Sequence, residues 1–520
     1  MNRFRVAALL FSMVIGGWAD VSYGANVDWD WFSRTVSGRE GALVKTDNVV
    51  VRDQLPDHFI SFNMNYITFE MSYWDAPKGQ VKPEVIEAMR AFPGAIYRYP
   101  GGLIANAFDG EGAIGDAGQR RRQRTVSWKE GTPVQFGPKE YFSFLTQVGG
   151  RSWYVLNLLG WDSETLYKEL PSAEMAASNR RLADFRRAHD QTVDIPHYYQ
   201  LGNELDRSEY QWPTDKYIQR SLASMAVVRK ADPGAKFVPF LRDFDWHYRG
   251  RPGTSTAKDF ARDVLTALPD VQDFSLHVYY DRPKEEGKTF DVQWRQGLLK
   301  KFIAQTTALR GKPYRVWITE NAKENPKKVP PPALRLATTS GITGAISSAD
   351  FLIAMTQLPE VQGLFWHALG GGHWWDLFRM NAGRIEPTPV YWVFRLLREN
   401  MRGSVLKTET DGPNHSGYEG GYDVRSVILR DKDGSLTIWA INHASNPTPL
   451  SVDLAGLANR VVNVRHGFVA AKIPGGGLES EMDIVRKSTD SPVEQTIPAS
   501  GQLQLQLPAQ SVSAIRIERL

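Results

Sequence analysis

His197-Tyr198-Tyr199-Gln200-Leu201-Gly202-Asn203-Glu204 reads as a short buried strand of aromatic and aliphatic residues that stops at an amide and a carboxylate. Pro196 precedes it, and residues 214–231 follow as an amphipathic helix. Tyr314-Arg315-Val316-Trp317-Ile318-Thr319-Glu320 has the same grammar, a strand ending in Glu. A carboxylate at the carboxyl end of a strand, ahead of a helix, stands on the functional face of a β/α barrel.

The same alternation extends to both sides of these two stretches. Strands are expected at 59–65, 95–102, 153–160, 236–241, 274–280 and 363–368, with helices at 83–92, 172–189, 290–309, 348–358 and 388–401. Eight strand candidates alternating with helices predict an α/β chain whose residues 56–402 form a (β/α)8 TIM barrel. Residues 106–128 are rich in Gly and Arg, too irregular for a helix, and read as a loop on the pocket rim. Past Arg402 short strands and turns take over, with Asp431-Lys432-Asp433-Gly434 as a hairpin signal. Gln502-Leu503-Gln504-Leu505-Gln506-Leu507 alternates with period two, so 403–520 reads as an accessory C-terminal β-sandwich. Residues 42–52 are β-prone around an Asp-Asn turn, and the segment 26–55 is expected to join that sandwich.

A chain of 520 residues is too long for one ordinary core, in keeping with two domains. The net charge of +4 is slight and no Lys/Arg run resembles a nucleic-acid tail, so no nucleic-acid partner is expected. With no cysteine the chain has neither disulfides nor thiolate chemistry. Arg3 and Arg5, then an apolar stretch 6–18 and small residues to Gly24 or Ala25, read as a signal peptide over 1–25. The expectation is a secreted or periplasmic protein with no later stretch of the ~18 apolar residues that a membrane span needs. Aromatic residues are plentiful, with 16 Trp and 19 Tyr, as suits a protein that stacks on sugar rings.

Two strand-terminal glutamates on one barrel are what glycosidic bond cleavage asks for: a proton donor, and a carboxylate that attacks the anomeric carbon. In a retaining barrel the strand-four Glu204 would be the acid/base and the strand-seven Glu320 the nucleophile, with carboxylates ~5 Å apart. Asn203 can hydrogen-bond a sugar hydroxyl beside the reacting carbon. Arg98, on the buried strand Ala95-Ile96-Tyr97-Arg98-Tyr99-Pro100-Gly101-Gly102, needs an anionic partner. Gly101 and Gly102 permit close backbone approach at a pocket wall. His277 and Tyr279 alternate on one side of strand six, where either could orient Glu320. Trp366 ends strand eight as a candidate floor beneath a sugar, and 370–375 (Gly-Gly-Gly-His-Trp-Trp) is a candidate covering loop. The histidines are scattered without metal-ligand spacing, and no Gly-x-Ser-x-Gly elbow follows a strand. The partner is thus a saccharide, with no metal or other cofactor required. The competing readings are a β-glycosidase or endo-acting hydrolase, and a catalytically silent carbohydrate-binding barrel.

Arg98-Tyr99-Pro100-Gly101-Gly102, Leu201-Gly202-Asn203-Glu204, Asp232-Pro233, Ile318-Thr319-Glu320-Asn321 and Trp366 together resemble retaining glycoside hydrolases of clan A. The pattern is most similar to the family 51 α-L-arabinofuranosidases, with families 39 and 79 as relatives, over residues 40–520. The resemblance implies an acid/base at Glu204, a nucleophile at Glu320, a 2-hydroxyl ligand at Asn203 and no cofactor. In family 51 an Asn that contacts the furanose follows the two glycines, where Leu103 stands here. Arg207, Arg242 and His247, near expected strand ends, suggest a charged or uronic substrate.

Overall fold

The structure is a computed structural model of the chain and describes residues 40–67, 71–125, 128–160, 169–190, 196–206, 210, 212–241, 260–281, 292–326, 330–370, 374–413 and 423–519. The expected signal peptide, Arg207, Arg242, His247 and residues 371–373 of the covering loop lie outside these.

Eight parallel strands form a barrel, in chain order Ile60–Asn63, Ile96–Tyr99, Arg151–Leu156, Tyr198–Leu201, Lys236–Pro239, Asp273–Tyr280, Arg315–Lys323 and Val361–Trp366. Apart from the fifth and sixth, sequence neighbours pair with each other, and the eighth returns to pair with the first. The remaining seam, between the fifth and sixth, is closed by a parallel bridge from Phe240 to Ser275. Helices Pro138–Val148 and Phe260–Ala267, which the sequence reading leaves unassigned, complete the alternation after the second and fifth strands. The stretch read as an irregular rim contains a 3-10 turn at Leu103–Ala107 and a small hairpin of Arg122–Thr125 with Trp128–Pro133.

The barrel interior sorts by alternation along each strand. Ile96, Trp153, Tyr198, Val238, Trp317 and Phe365 point inward and form a plug of their own. Trp153 stacks on Tyr198 with ring centres 4.9 Å apart and tilts against Trp317 at 5.0 Å. Pairs of this kind add ~0.5–1.5 kcal/mol each beyond the area they bury. Two residues further along the second and fourth strands the inward positions turn polar, at Arg98 and Gln200, and the end of the first strand contributes Asn63. The aromatic plug is therefore the dry base on which a polar site stands.

The β-rich remainder is one hydrogen-bonded sheet of ten strands, into which Ala42–Arg52 is paired antiparallel with Ser404–Asp411 and parallel with Thr448–Asp453. Val462 and Val464, near one edge, share a core with Leu503 and Leu507 at the other, so the sheet folds over on itself. Its central strands Val424–Arg430 and Leu436–Asn442 bury both faces. Ile428, Ile438 and Ala440 enter that core, whereas Val427, Leu429, Trp439 and Ile441 join the apolar cluster of the barrel. This sheet also supplies a cap to the helix that follows the Glu320 strand. Glu481 accepts hydrogen bonds from the backbone N–H of Thr343 (2.8 Å) and its hydroxyl (2.6 Å), at the start of Ile342–Thr356. None of the described helices is long and apolar enough to cross a membrane.

Candidate active site

Glu320 faces the barrel axis because of a bulge. Trp317 pairs with Ser275 and Ile318 with Leu276, but Glu320, not Thr319, pairs with His277. On the other side Ile318 pairs with Leu364 and Asn321 with Trp366, again leaving one residue too many on this strand. Strict alternation from the inward Trp317 would have turned Thr319 in and Glu320 out. The extra residue reverses that and re-aims the carboxylate.

Glu204 reaches the same space from the fourth strand through a tight turn, with Gly202 at φ 72° and Glu204 at φ 49°. A left-handed conformation costs a residue with a side chain about 1–2 kcal/mol, so surrounding bonds must hold it. His277 Nδ1 lies 2.7 Å from Glu204 Oε1 and 3.4 Å from Glu320 Oε2. One atom each from Glu204, His277 and Glu320 falls within 4.8 Å of the others. The carboxylates thus meet at the short spacing of a retaining pair, without the gap that an inverting enzyme leaves for water.

Arg98 is fully buried beneath them and its donors are nearly all used. Nε donates to Gln200 Oε1 (2.8 Å), Nη1 to Asn63 Oδ1 (2.7 Å) and Glu320 Oε1 (3.0 Å), and Nη2 to Asn203 Oδ1 (2.5 Å). Glu320 is the anion that a charge in this strand required. Tyr279 donates to the other oxygen of Glu320 at 3.0 Å, and His367 Nδ1 stands 3.7 Å from it. Burial alone would push the Glu320 carboxyl up, but His277, His367 and Arg98 outweigh it and hold it below the ordinary glutamate value, against repulsion from Glu204. Burial, with the two carboxylates adding to it, drives the Tyr279 phenol well above its usual value, so it remains a donor.

Gly101 lies against Asn63, where a Cβ would come within 2.8 Å of Oδ1. Gly102, at φ 77°, has His367 Cε1 3.5 Å from where its Cβ would be. Asn63 and His367 are two site residues that the sequence reading missed. Each stands at a strand end and points inward by the alternation that turns Phe365 and Arg98 inward.

That alternation also corrects Trp366. Its ring points outward, packs on Phe394 of Pro389–Glu399 with centres 5.7 Å apart, and donates through Nε1 to Trp375 O. With 1% of its surface exposed it lies behind the strand and is no floor for a sugar. The indole beside the site is Trp375, whose ring lies 5.4 Å from Tyr279 and 5.7 Å from His367.

Glu204, His277 and Glu320 are spaced as metal ligands can be. Their wiring suits proton chemistry better. Arg98 already donates to Glu320, and His277 Nε2 has no acceptor among the described residues of the kind that orients a metal-bound imidazole.

No protein-family model matches the chain. It is 24% identical over 493 residues to an intracellular exo-α-(1→5)-L-arabinofuranosidase of Streptomyces lividans, covering 86% of this chain and 70% of that one. A Bacillus subtilis protein of the same description is 21% identical, covering 75% and 80%. Among solved structures, a family 51 α-L-arabinofuranosidase of Bifidobacterium longum superposes with a TM-score of 0.71 at 16% identity, over 92% of this chain and 99% of that one. A bifunctional glucanase–xylanase from a metagenome library superposes at 0.60 with 14% identity, covering 92% and 99%. The names of the relatives overturn the secreted or periplasmic location read from residues 1–25, since they are described as intracellular. A basic start followed by an apolar run is a compositional pattern, and composition alone does not make it an export signal. In sequence and in fold the comparisons agree with the strand-end motifs: the chain is a glycosidase, similar to the family 51 α-L-arabinofuranosidases.

Proposed function

We propose that the chain hydrolyses α-L-arabinofuranosides with retention of configuration, Glu320 acting as nucleophile and Glu204 as acid/base. The observation that carries this is the shared contact of both carboxylates with one nitrogen, His277 Nδ1, at 2.7 and 3.4 Å. Glu320, held ionised by Arg98 and its other donors, attacks the anomeric carbon while Glu204 gives its proton to the departing oxygen. Next, water attacks the glycosyl–enzyme bond, Glu204 takes a proton from it, and the Glu320 carboxylate is released. Repulsion between the two carboxylates favours a proton on Glu204 in the first step. Loss of the Glu320 charge in the ester removes that bias for the second. The sugar is drawn from the relatives' descriptions.

Leu103, 39% exposed where a furanose-contacting Asn stands in family 51, favours a second reading with the same chemistry on another sugar, as a β-glycosidase or endo-acting hydrolase. A panel of aryl glycosides, with product configuration followed by NMR, separates the two. Turnover of the arabinofuranoside with a retained first product is expected, and an inverted first product would end the proposal. Glu320→Ala should abolish turnover, and added azide should restore product as a glycosyl azide.

A further inference from the structure

Asn106 lies three residues beyond Leu103, in the turn Leu103–Ala107, and is completely buried. Its whole amide is committed to the acid/base loop. Nδ2 donates to Asn203 O at 2.6 Å and to Tyr210 Oη at 3.1 Å, and Oδ1 accepts the N–H of Asn203 at 3.1 Å. The side chain thus pairs with both backbone polar groups of one residue, as a neighbouring strand would. The orientation is unambiguous, because a flipped amide would set oxygen against oxygen and N–H against N–H. The residue so gripped sits between Gly202 and Glu204, both with positive φ.

We propose that Asn106 is a positioning residue for general acid/base catalysis, clamping the Asn203 backbone so that Glu204 keeps its left-handed conformation and its place beside His277. This rests on the acid/base reading of Glu204. Without the clamp, Glu204 is free to relax toward negative φ, which swings its carboxylate away from the leaving oxygen. Glu320, carried by another strand and held by Arg98 and Tyr279, stays in place. Damage from losing Asn106 therefore falls on proton transfer and spares nucleophilic attack.

Leaving-group dependence tests this. For Asn106→Ala, kcat/KM on an alkyl glycoside, which needs a protonated leaving group, should fall roughly 100-fold, within the range general acid catalysis supplies. On a dinitrophenyl glycoside, which does not, the fall should stay within about 5-fold, and the alkaline limb of the pH profile should move. Asn106→Asp keeps the acceptor for the Asn203 N–H but sets an oxygen against Asn203 O, and should show the same pattern. Tyr210→Phe removes only the outer anchor and should show it more weakly, which covers the case in which the Asn106 variants do not fold. Equal losses on both substrates, or none, would overturn the proposal. Glu204→Ala is run beside them. If it too lacks leaving-group dependence, the acid/base reading itself falls. If it has that dependence and the clamp variants do not, only the role of Asn106 falls.

Discussion

Arg98 Nη2 donates to Asn203 Oδ1 at 2.5 Å, and this bond decides which way the Asn203 amide faces. With its oxygen turned to the guanidinium, Asn203 presents Nδ2, a buried donor with no partner among the described residues. A buried donor left without a partner costs about 1–3 kcal/mol, so a sugar hydroxyl oxygen is the natural acceptor. Asn203→Ala should lower kcat/KM roughly 100-fold on a substrate with its 2-hydroxyl, as loss of one preorganised donor does. On the 2-deoxy analogue the variant and the parent enzyme should differ little. A full loss on both sugars would mean that this amide does not read the hydroxyl.

Tyr279 stabilises the Glu320 anion by donating to it at 3.0 Å. A donor to a carboxylate lowers its pKa, so removing the donor raises it. Tyr279→Phe should therefore move the acid limb of kcat/KM to higher pH, because Glu320, as the proposed nucleophile, must be ionised to attack. The rate at the optimum should change less than the position of that limb, since a bond to the resting carboxylate speeds the reaction only as far as it strengthens in the transition state. An unmoved acid limb would assign that limb to another group.

Gly101→Ala should harm activity more than stability. The new Cβ would meet Asn63 Oδ1 at 2.8 Å, Asn63 Cβ at 3.2 Å and Met64 O at 3.2 Å. Asn63 is pinned, with Nδ2 on Thr319 O (2.8 Å) and Oδ1 on Arg98, so the displacement passes directly to the group beneath Glu320. Misplacement of about 1 Å can cost 100-fold in rate, whereas overpacking at one site costs about 1–3 kcal/mol. Gly102→Ala reverses the balance, meeting only His367 Cε1 at 3.5 Å while placing a Cβ at φ 77°. Steady-state kinetics and thermal melts on the two variants compare these effects.

The barrel is legible in the sequence because strands buried on both faces read as continuous apolar runs, here each followed by helix. The carboxylates stand out because they end such runs, and Arg98 because a charge inside one demands a partner. Thr319 shows where this reading stops. A period-two pattern counted from Trp317 sends Glu320 to the outside, and nothing local announces the extra residue that corrects it. Trp366 and His367 show the reverse, since the same pattern counted from Phe365 would have turned the Trp out and the His in. Asn106 sits in a stretch with no periodicity, and its role depends on a partner 97 residues away.

His466 gives the β-rich part of the chain a pH-dependent stability unconnected with the active site. Burial, with the nearby Lys487 adding to it, lowers the imidazole from 6.5 to about 4, while Nε2 and Ser513 Oγ share a hydrogen bond at 3.0 Å. A depressed folded value means that the unfolded chain binds the proton first. The stabilisation is therefore complete above pH 6.5, falls as pH drops from there, and is gone once pH has passed through about 4. The depression corresponds to about 3 kcal/mol. His466→Gln removes the proton site and keeps a polar group facing Ser513. Urea unfolding of parent and variant at pH 7, 5.5 and 4 should show the parent losing about 3 kcal/mol more than the variant across that interval. Parallel losses would mean that the imidazole is as readily protonated in the folded chain as in the unfolded one.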